Sequence, residues 1–125
     1  MENIMVCVTK QKNCQRLIDF GKSLKSSDDD ELFIIHVAHT DFNFLGNTKE
    51  NEALEFLYNK AMEAGASLTV EKSDNVLETL VQLIKENKID KVVVGQSGEI
   101  QGPVNFLTKL RKRTDGIVEL IEVPA

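Results

Sequence analysis

At 125 residues the chain reads as a single domain over residues 1–125, long enough to bury a core without disulfides or a structural metal. Its 42% hydrophobic and 28% charged residues exclude a disordered chain, and no apolar run approaches the ~20 residues of a membrane-spanning helix, so no membrane insertion is expected. A net charge of −5 argues against nucleic acid as a partner. The start, MENIMVCVTK, lacks the basic and long apolar regions of a signal peptide. A cytoplasmic protein is expected, with Cys7 and Cys14 kept reduced.

Strands and helices alternate along the chain. Residues 4–8 read as a short buried strand, followed by polar TKQKN. A helix is predicted from about Cys14 to Leu24, with Leu17, Phe20, Gly21 and Leu24 on one face and Asn13 as its N-cap. The acidic turn SSDDDE leads into LFIIHVA, a second buried strand, and HTDFNFLGNT is a loop. Asn47 and Glu50 are spaced as a capping box for a helix that carries Leu54, Leu57, Tyr58 and Ala61 and stops at Gly65. Residues 67–71 alternate as a strand. Asn75 and Glu78 repeat the cap spacing before a helix with Val76, Leu80, Leu83 and Ile84. From Lys88 onward, IDKVVVG is a strand of the near-continuous apolar kind found inside parallel sheets. A short helix near residues 104–110 and a last strand, GIVELIEV, close the chain.

Five strands separated by four helices must run parallel with right-handed crossovers. The fold class is therefore α/β, a single open five-stranded parallel sheet with helices on both faces. Such sheets bind ligands beyond the carboxyl ends of their strands, where strand order reverses. The loops that matter are TKQKN after the first strand and GQSGEIQG after the fourth.

With IMVCVT at the start, LFIIHV as second strand and VVVG before a glycine loop, the chain resembles the universal stress protein family over its whole length. VCVTKQKNCQRLI and IKENKIDKVVVGQS further resemble the universal-stress-type domain of the potassium-sensing histidine kinase KdpD. The resemblance implies an adenine-nucleotide-alpha-hydrolase-like sheet in strand order 3-2-1-4-5, with the switch point between strands one and four. Family members that bind ATP carry an acid after the first strand. They also carry Gly-x-x-Gly, nine residues, then Gly and a small hydroxyl or amide residue.

Here Gly95-Gln96-Ser97-Gly98 keeps the first half, but only Glu99, Ile100 and Gln101 separate it from Gly102-Pro103-Val104. Proline replaces the hydroxyl residue, and Thr9 stands where the acid would be. Proline at a helix entry contributes no N–H, and a three-residue spacer leaves few amides for a triphosphate. Lys10 and Lys12 offset the charge of Glu99. The candidate nucleotide site is Thr9, Lys10, Val37, Gly95, Ser97, Gly98, Gly102 and Val104. Recognition of cyclic di-AMP, known for some domains of the KdpD kind, uses serines after the first strand and Phe-Thr-Ala-x-Tyr in the second. This chain has Thr9 and Gln11, then Phe33-Ile34-Ile35-His36-Val37, and shares only the phenylalanine.

Other constellations favour structural readings. Cys7, Cys14, His36 and His39 supply metal-ligating atoms, but Cys7 lies inside a strand and the histidines, three apart, point to opposite faces. No metal is expected. Cys14 near a helix start could have a lowered pKa, yet it shares the apolar face of Leu17 and Gly21. Gly-x-Ser-x-Gly, Walker and Gly-x-Gly-x-x-Gly motifs are absent. Thr9 and Lys10 exclude a response-regulator receiver, which needs an acidic pair there. Lys109, Arg111, Lys112 and Arg113 read as a solvated helix end favoured by the helix dipole.

In the family order the last strand, residues 117–123, lies at the sheet edge, and family members commonly dimerise through it. Both its faces are largely apolar, so a two-fold dimer is expected through Ile117, Val118, Leu120, Ile121 and Val123, limited by Glu119 and Glu122. The expected function is a dimeric, non-catalytic stress or osmotic (potassium) signalling module that needs no cofactor and has a sensor-kinase or transport partner. The alternative is an adenine-nucleotide-binding member, taking ATP or cyclic di-AMP and hydrolysing ATP slowly at most.

Overall fold

A computed structural model of the chain describes residues 2–8, 11–38, 48–95 and 106–123. The elements run β1 (Asn3–Cys7), α1 (Gln11–Ser23), β2 (Glu31–Ala38), α2 (Thr48–Glu63), β3 (Ser67–Lys72), α3 (Val76–Glu86), β4 (Lys91–Gly95), α4 (Phe106–Thr114) and β5 (Glu119–Val123). All strand pairs are parallel and the sheet order is β3-β2-β1-β4-β5, as expected.

Each central strand buries both faces. Ile4, Val6 and Val8 of the first strand segment join Leu32, Ile34 and Val93 under α1 and α2, which add Leu17, Ile18, Leu57 and Ala61. Met5, Cys7, Ile35, Val92 and Val94 face the other way, under Leu80, Val81, Leu83 and Ile84 of α3 and Leu110 of α4. This two-sided burial is why these strands read as continuous apolar runs.

The helix ends show how local sequence sets the boundaries. Asn75 caps α3, its side chain accepting from the Glu78 amide at 3.1 Å. The expected reciprocal half of the box is not made. The Asn75 amide donates instead to Ser73 Oγ at 3.0 Å, while the Glu78 carboxylate turns to Arg113. Helix α2 ends in a Schellman motif, Ala66 N–H to Ala61 carbonyl and Gly65 N–H to Met62 carbonyl, with Gly65 at φ 69°. Helix α3 ends the same way, through Ile89 to Ile84 and Lys88 to Lys85. There Lys88 occupies the left-handed position at φ 52°.

Four expected boundaries are corrected. Helix α1 starts at Gln11, so Asn13 lies inside it rather than capping it. Lys88 belongs to the turn, and β4 begins at Lys91. Helix α4 continues to Thr114 instead of ending near Leu110; Thr114 is buried and its hydroxyl donates to the Leu110 carbonyl at 2.8 Å. The longer helix displaces the last strand, which begins at Glu119. Gly116 at φ 78° and the Ile117 amide bonded to the Thr114 carbonyl put Ile117 in the turn and Val118 just before the strand. The proposed cap Asn47 lies outside the described residues.

The lower edge of the sheet is tied on both sides of β1. The Glu2 amide donates to Asp30 at 2.8 Å and the Asn3 amide to Asp90 at 2.8 Å. The Asn3 side chain adds bonds to the carbonyls of Asn87 and Lys88. These anchors set the register that carries to the opposite, carboxyl edge.

Candidate functional site

The order β2-β1-β4 places the reversal of strand order between β1 and β4, the expected crevice position. Val6 pairs with Val93, and continuing that register sets Val8 abreast of Gly95. On the other side of β1, Cys7 pairs with Ile35, and the Val8 amide donates to the Ile35 carbonyl at 2.9 Å. Gly95 pairs in turn with Val123 on β5. The loop after β1 and the loop after β4 therefore leave the sheet from neighbouring positions.

Of the candidate nucleotide residues, Val37 and Gly95 are described. Gly95 is buried at the end of β4, and Val37, partly buried, packs against the α3/α4 layer. Thr9, Lys10, Ser97, Gly98, Gly102 and Val104 lie outside the described residues. Val37 and Gly95 lie on either side of the carboxyl end of β1 and carry no charged group.

Sequence reasoning missed one residue at this edge. His36, read above as a packed or metal-ligating side chain, has Nδ1 2.9 Å from the Val8 carbonyl oxygen. The signal was its place: the last but two of β2, next to Val37 and across from the end of β1. Cys7 and His36 do not converge, because Cys7 faces the α3/α4 layer while His36 shares the side of Ile34. Among the described residues no group of three His, Cys, Asp or Glu is placed to hold a metal ion. His39 lies outside the described residues, as does the side chain of Cys14.

The titratable groups with displaced pKa values belong to the frame. Burial pushes the Cys7 thiol up to about 12, which keeps it protonated and a poor nucleophile at neutral pH. The amides of Ser26 and Glu2, with the Ser26 hydroxyl and Ser27 amide, hold the Asp30 carboxyl well below the carboxylate range against the opposing effect of burial. The Arg113 guanidinium lowers Glu78 and is itself raised by it, joining α4 to α3. Glu2 raises Lys91 across a 3.1 Å ion pair. Of these five groups only Cys7 lies at the carboxyl edge of β1 and β4, and it points into the core.

Two of the four basic residues of α4 are engaged. Arg113 pairs with Glu78, and Arg111 lies 3.2 Å from Glu122 of β5. The residues expected at a dimer interface are divided. Val123 is buried in the α1/α2 layer, Val118 and Leu120 pack against the α3/α4 layer, Ile121 is partly buried, and Ile117 is half exposed in its turn. Among the described residues β5 pairs only with β4, so its outer edge carries unpaired backbone groups. No helix among the described residues is long and apolar enough to cross a membrane.

Comparison with known proteins places this geometry. Among curated proteins none matches the chain. Among solved structures, a universal stress protein in complex with cAMP is 18% identical with a TM-score of 0.66, covering 98% of this chain and 96% of its own. A protein of the universal stress protein family from Burkholderia pseudomallei is 14% identical with a TM-score of 0.65, covering 99% and 96%. A family member from Arabidopsis thaliana with AMP bound is 18% identical with a TM-score of 0.62, covering 98% and 92%. At these identities the likeness establishes a shared fold. The model of the Universal stress protein family matches residues 1–112, and the chain belongs to that family.

Proposed function

We propose that this protein is a non-catalytic signalling module of the universal stress type that takes an adenine mononucleotide between the carboxyl ends of β1 and β4. The observation that carries the reading is the alignment of Val8 with Gly95 at the switch point, from which both candidate loops depart. Two structurally similar proteins hold cAMP and AMP, ligands with one phosphate each. One phosphate suits a loop with only Glu99, Ile100 and Gln101 between its glycines better than three do, because fewer backbone amides are needed. Lys10, before α1, and Lys12, in the first turn of α1, bring compensating positive charge in sequence next to the end of β1. Val37, partly buried, offers apolar surface to the face of the base.

A non-catalytic role is supported by what the displaced groups do. Cys7 is protonated and buried, and Asp30 and Glu78 are bound to amides and to Arg113, so none is a general base beside the crevice. The likeness of VCVTKQKNCQRLI and IKENKIDKVVVGQS to the KdpD domain supports an osmotic or potassium-linked signal in the cytoplasm, with a sensor kinase or transporter as partner. The unpaired edge of β5 supports a homodimer, formed through backbone pairing more than through Val118, Leu120 or Val123, which serve the protomer's own core.

Isothermal titration with AMP, cAMP, ATP with magnesium and cyclic di-AMP tests the reading. Micromolar binding of AMP or cAMP, weaker binding of ATP and loss of both in Gly98→Asp are expected. Tighter binding of cyclic di-AMP or ATP would redirect the ligand assignment, and no heat with any of the four would overturn it.

A further inference from the structure

Two adjacent residues of β2 serve opposite sides of the crevice. Val37 packs with the α3/α4 layer, as do Cys7 and Val94. His36 projects to the other side, where Ile34 is buried beneath α1 and α2. From there its Nδ1 lies 2.9 Å from the carbonyl oxygen of Val8. Val8 is the residue directly before Thr9 and Lys10, and its amide is already bonded to the Ile35 carbonyl. Its two backbone polar groups are thus held by consecutive residues of β2, one through backbone and one through a side chain. A carbonyl only accepts, which assigns the proton to Nδ1 of the ring.

We infer that His36 is the positioning residue of the crevice: by donating to the Val8 carbonyl it fixes the direction in which the chain leaves the end of β1 beside Gly95. The inference rests on the reading of this crevice as a nucleotide site. His36 acts through Val8 and from the face opposite Val37, not by touching the nucleotide. A partly buried side chain that only filled space would need no nitrogen at this distance from a carbonyl. A ring donor there replaces one strand-end bond that the departing chain would otherwise leave to water.

The substitutions that separate the two roles are His36→Asn, whose amide N–H can occupy the place of Nδ1, and His36→Leu, which keeps bulk and removes the donor. If His36→Leu does not fold, His36→Gln, whose amide reaches the place of Nε2 instead, substitutes for it. Two readouts are taken well below the unfolding temperature: AMP affinity by calorimetry, and amide chemical shifts of Thr9, Lys10 and Gly95. Loss of one hydrogen bond's worth of positioning corresponds to a roughly five- to tenfold weaker Kd in His36→Leu, with the three amides shifted. His36→Asn restores most of both. Wild-type affinity and shifts in His36→Leu, or an Asn variant as impaired as the Leu variant, would overturn the inference. If the wild type binds no nucleotide, the functional reading falls while the shifts still decide: displaced in Leu and restored in Asn sustains the positioning role, and unmoved amides end it.

Discussion

A methyl group added to Gly21 of α1 would come within 2.4 Å of Val6 Cγ2 on β1 and 3.2 Å of Leu32 Cδ1 on β2. The helix backbone therefore rests at this point directly on the Val6 and Leu32 side chains, with no side chain of its own between. Gly21→Ala forces Val6 off its rotamer or lifts α1. The expected destabilisation is about 1–3 kcal/mol despite alanine's better helix propensity, as for other overpacked cores. Urea unfolding checks this, and a neutral or stabilising substitution would show that the interface yields freely.

Lys88 makes the opposite case. It holds the left-handed position of the Schellman turn after α3 at φ 52°, where its Cβ is strained. Gly65 fills the same position after α2 without that strain. Lys88→Gly is expected to raise stability by up to about 1 kcal/mol, less the larger entropy of glycine in the unfolded chain. A fall in the urea midpoint would contradict it.

Asp30 couples stability to pH. Its carboxylate accepts from the amides of Ser26 at 2.7 Å and Glu2 at 2.8 Å and from the Ser26 hydroxyl at 3.0 Å. The folded-state pKa is depressed, so the fold releases the proton more readily than the unfolded chain does. The contribution is present above the unfolded carboxylate value near ~4 and is lost as pH falls through the folded value. Asp30→Asn is expected to be less stable than wild type at pH 7, with the gap narrowing below about pH 4 as wild type loses this contribution. Urea midpoints of both proteins at pH 7 and in acid check this; a gap that stays constant with pH would contradict it.

Cys7 is buried and its thiol is pushed up to about 12. In a Cys14→Ser background, no labelling of the native protein by a thiol reagent at neutral pH is expected, and full labelling is expected in denaturant. Rapid native labelling would mean that the first strand opens readily.

The parallel sheet and its layers were legible because the central strands bury both faces and so print unbroken apolar runs such as residues 92–94 between turn signals, whereas the strand order followed from the family resemblance. Helix ends were less so. The basic residues Arg111, Lys112 and Arg113 do form the last turn of α4, as read, but the helix runs on to Thr114, and Glu78 and Glu122 receive two of them. These are contacts between residues 11 and 35 positions apart, which no local pattern contains. Gly95 and Val37, named as candidates from the sequence, stand near the carboxyl ends of β4 and β2. His36 was passed over because its partner is a backbone carbonyl, an atom every residue carries and no sequence pattern marks.

The most direct test of the central claim is amide chemical-shift mapping of the labelled protein as AMP is added. The expected result is saturable shifts concentrated at Val8, Thr9, Lys10, Val37 and residues 95–98, with the anchors Asp30 and Asp90 at the opposite edge of the sheet unmoved. Shifts confined to the Asp30–Asp90 edge, or none up to millimolar AMP, would contradict a nucleotide site between β1 and β4.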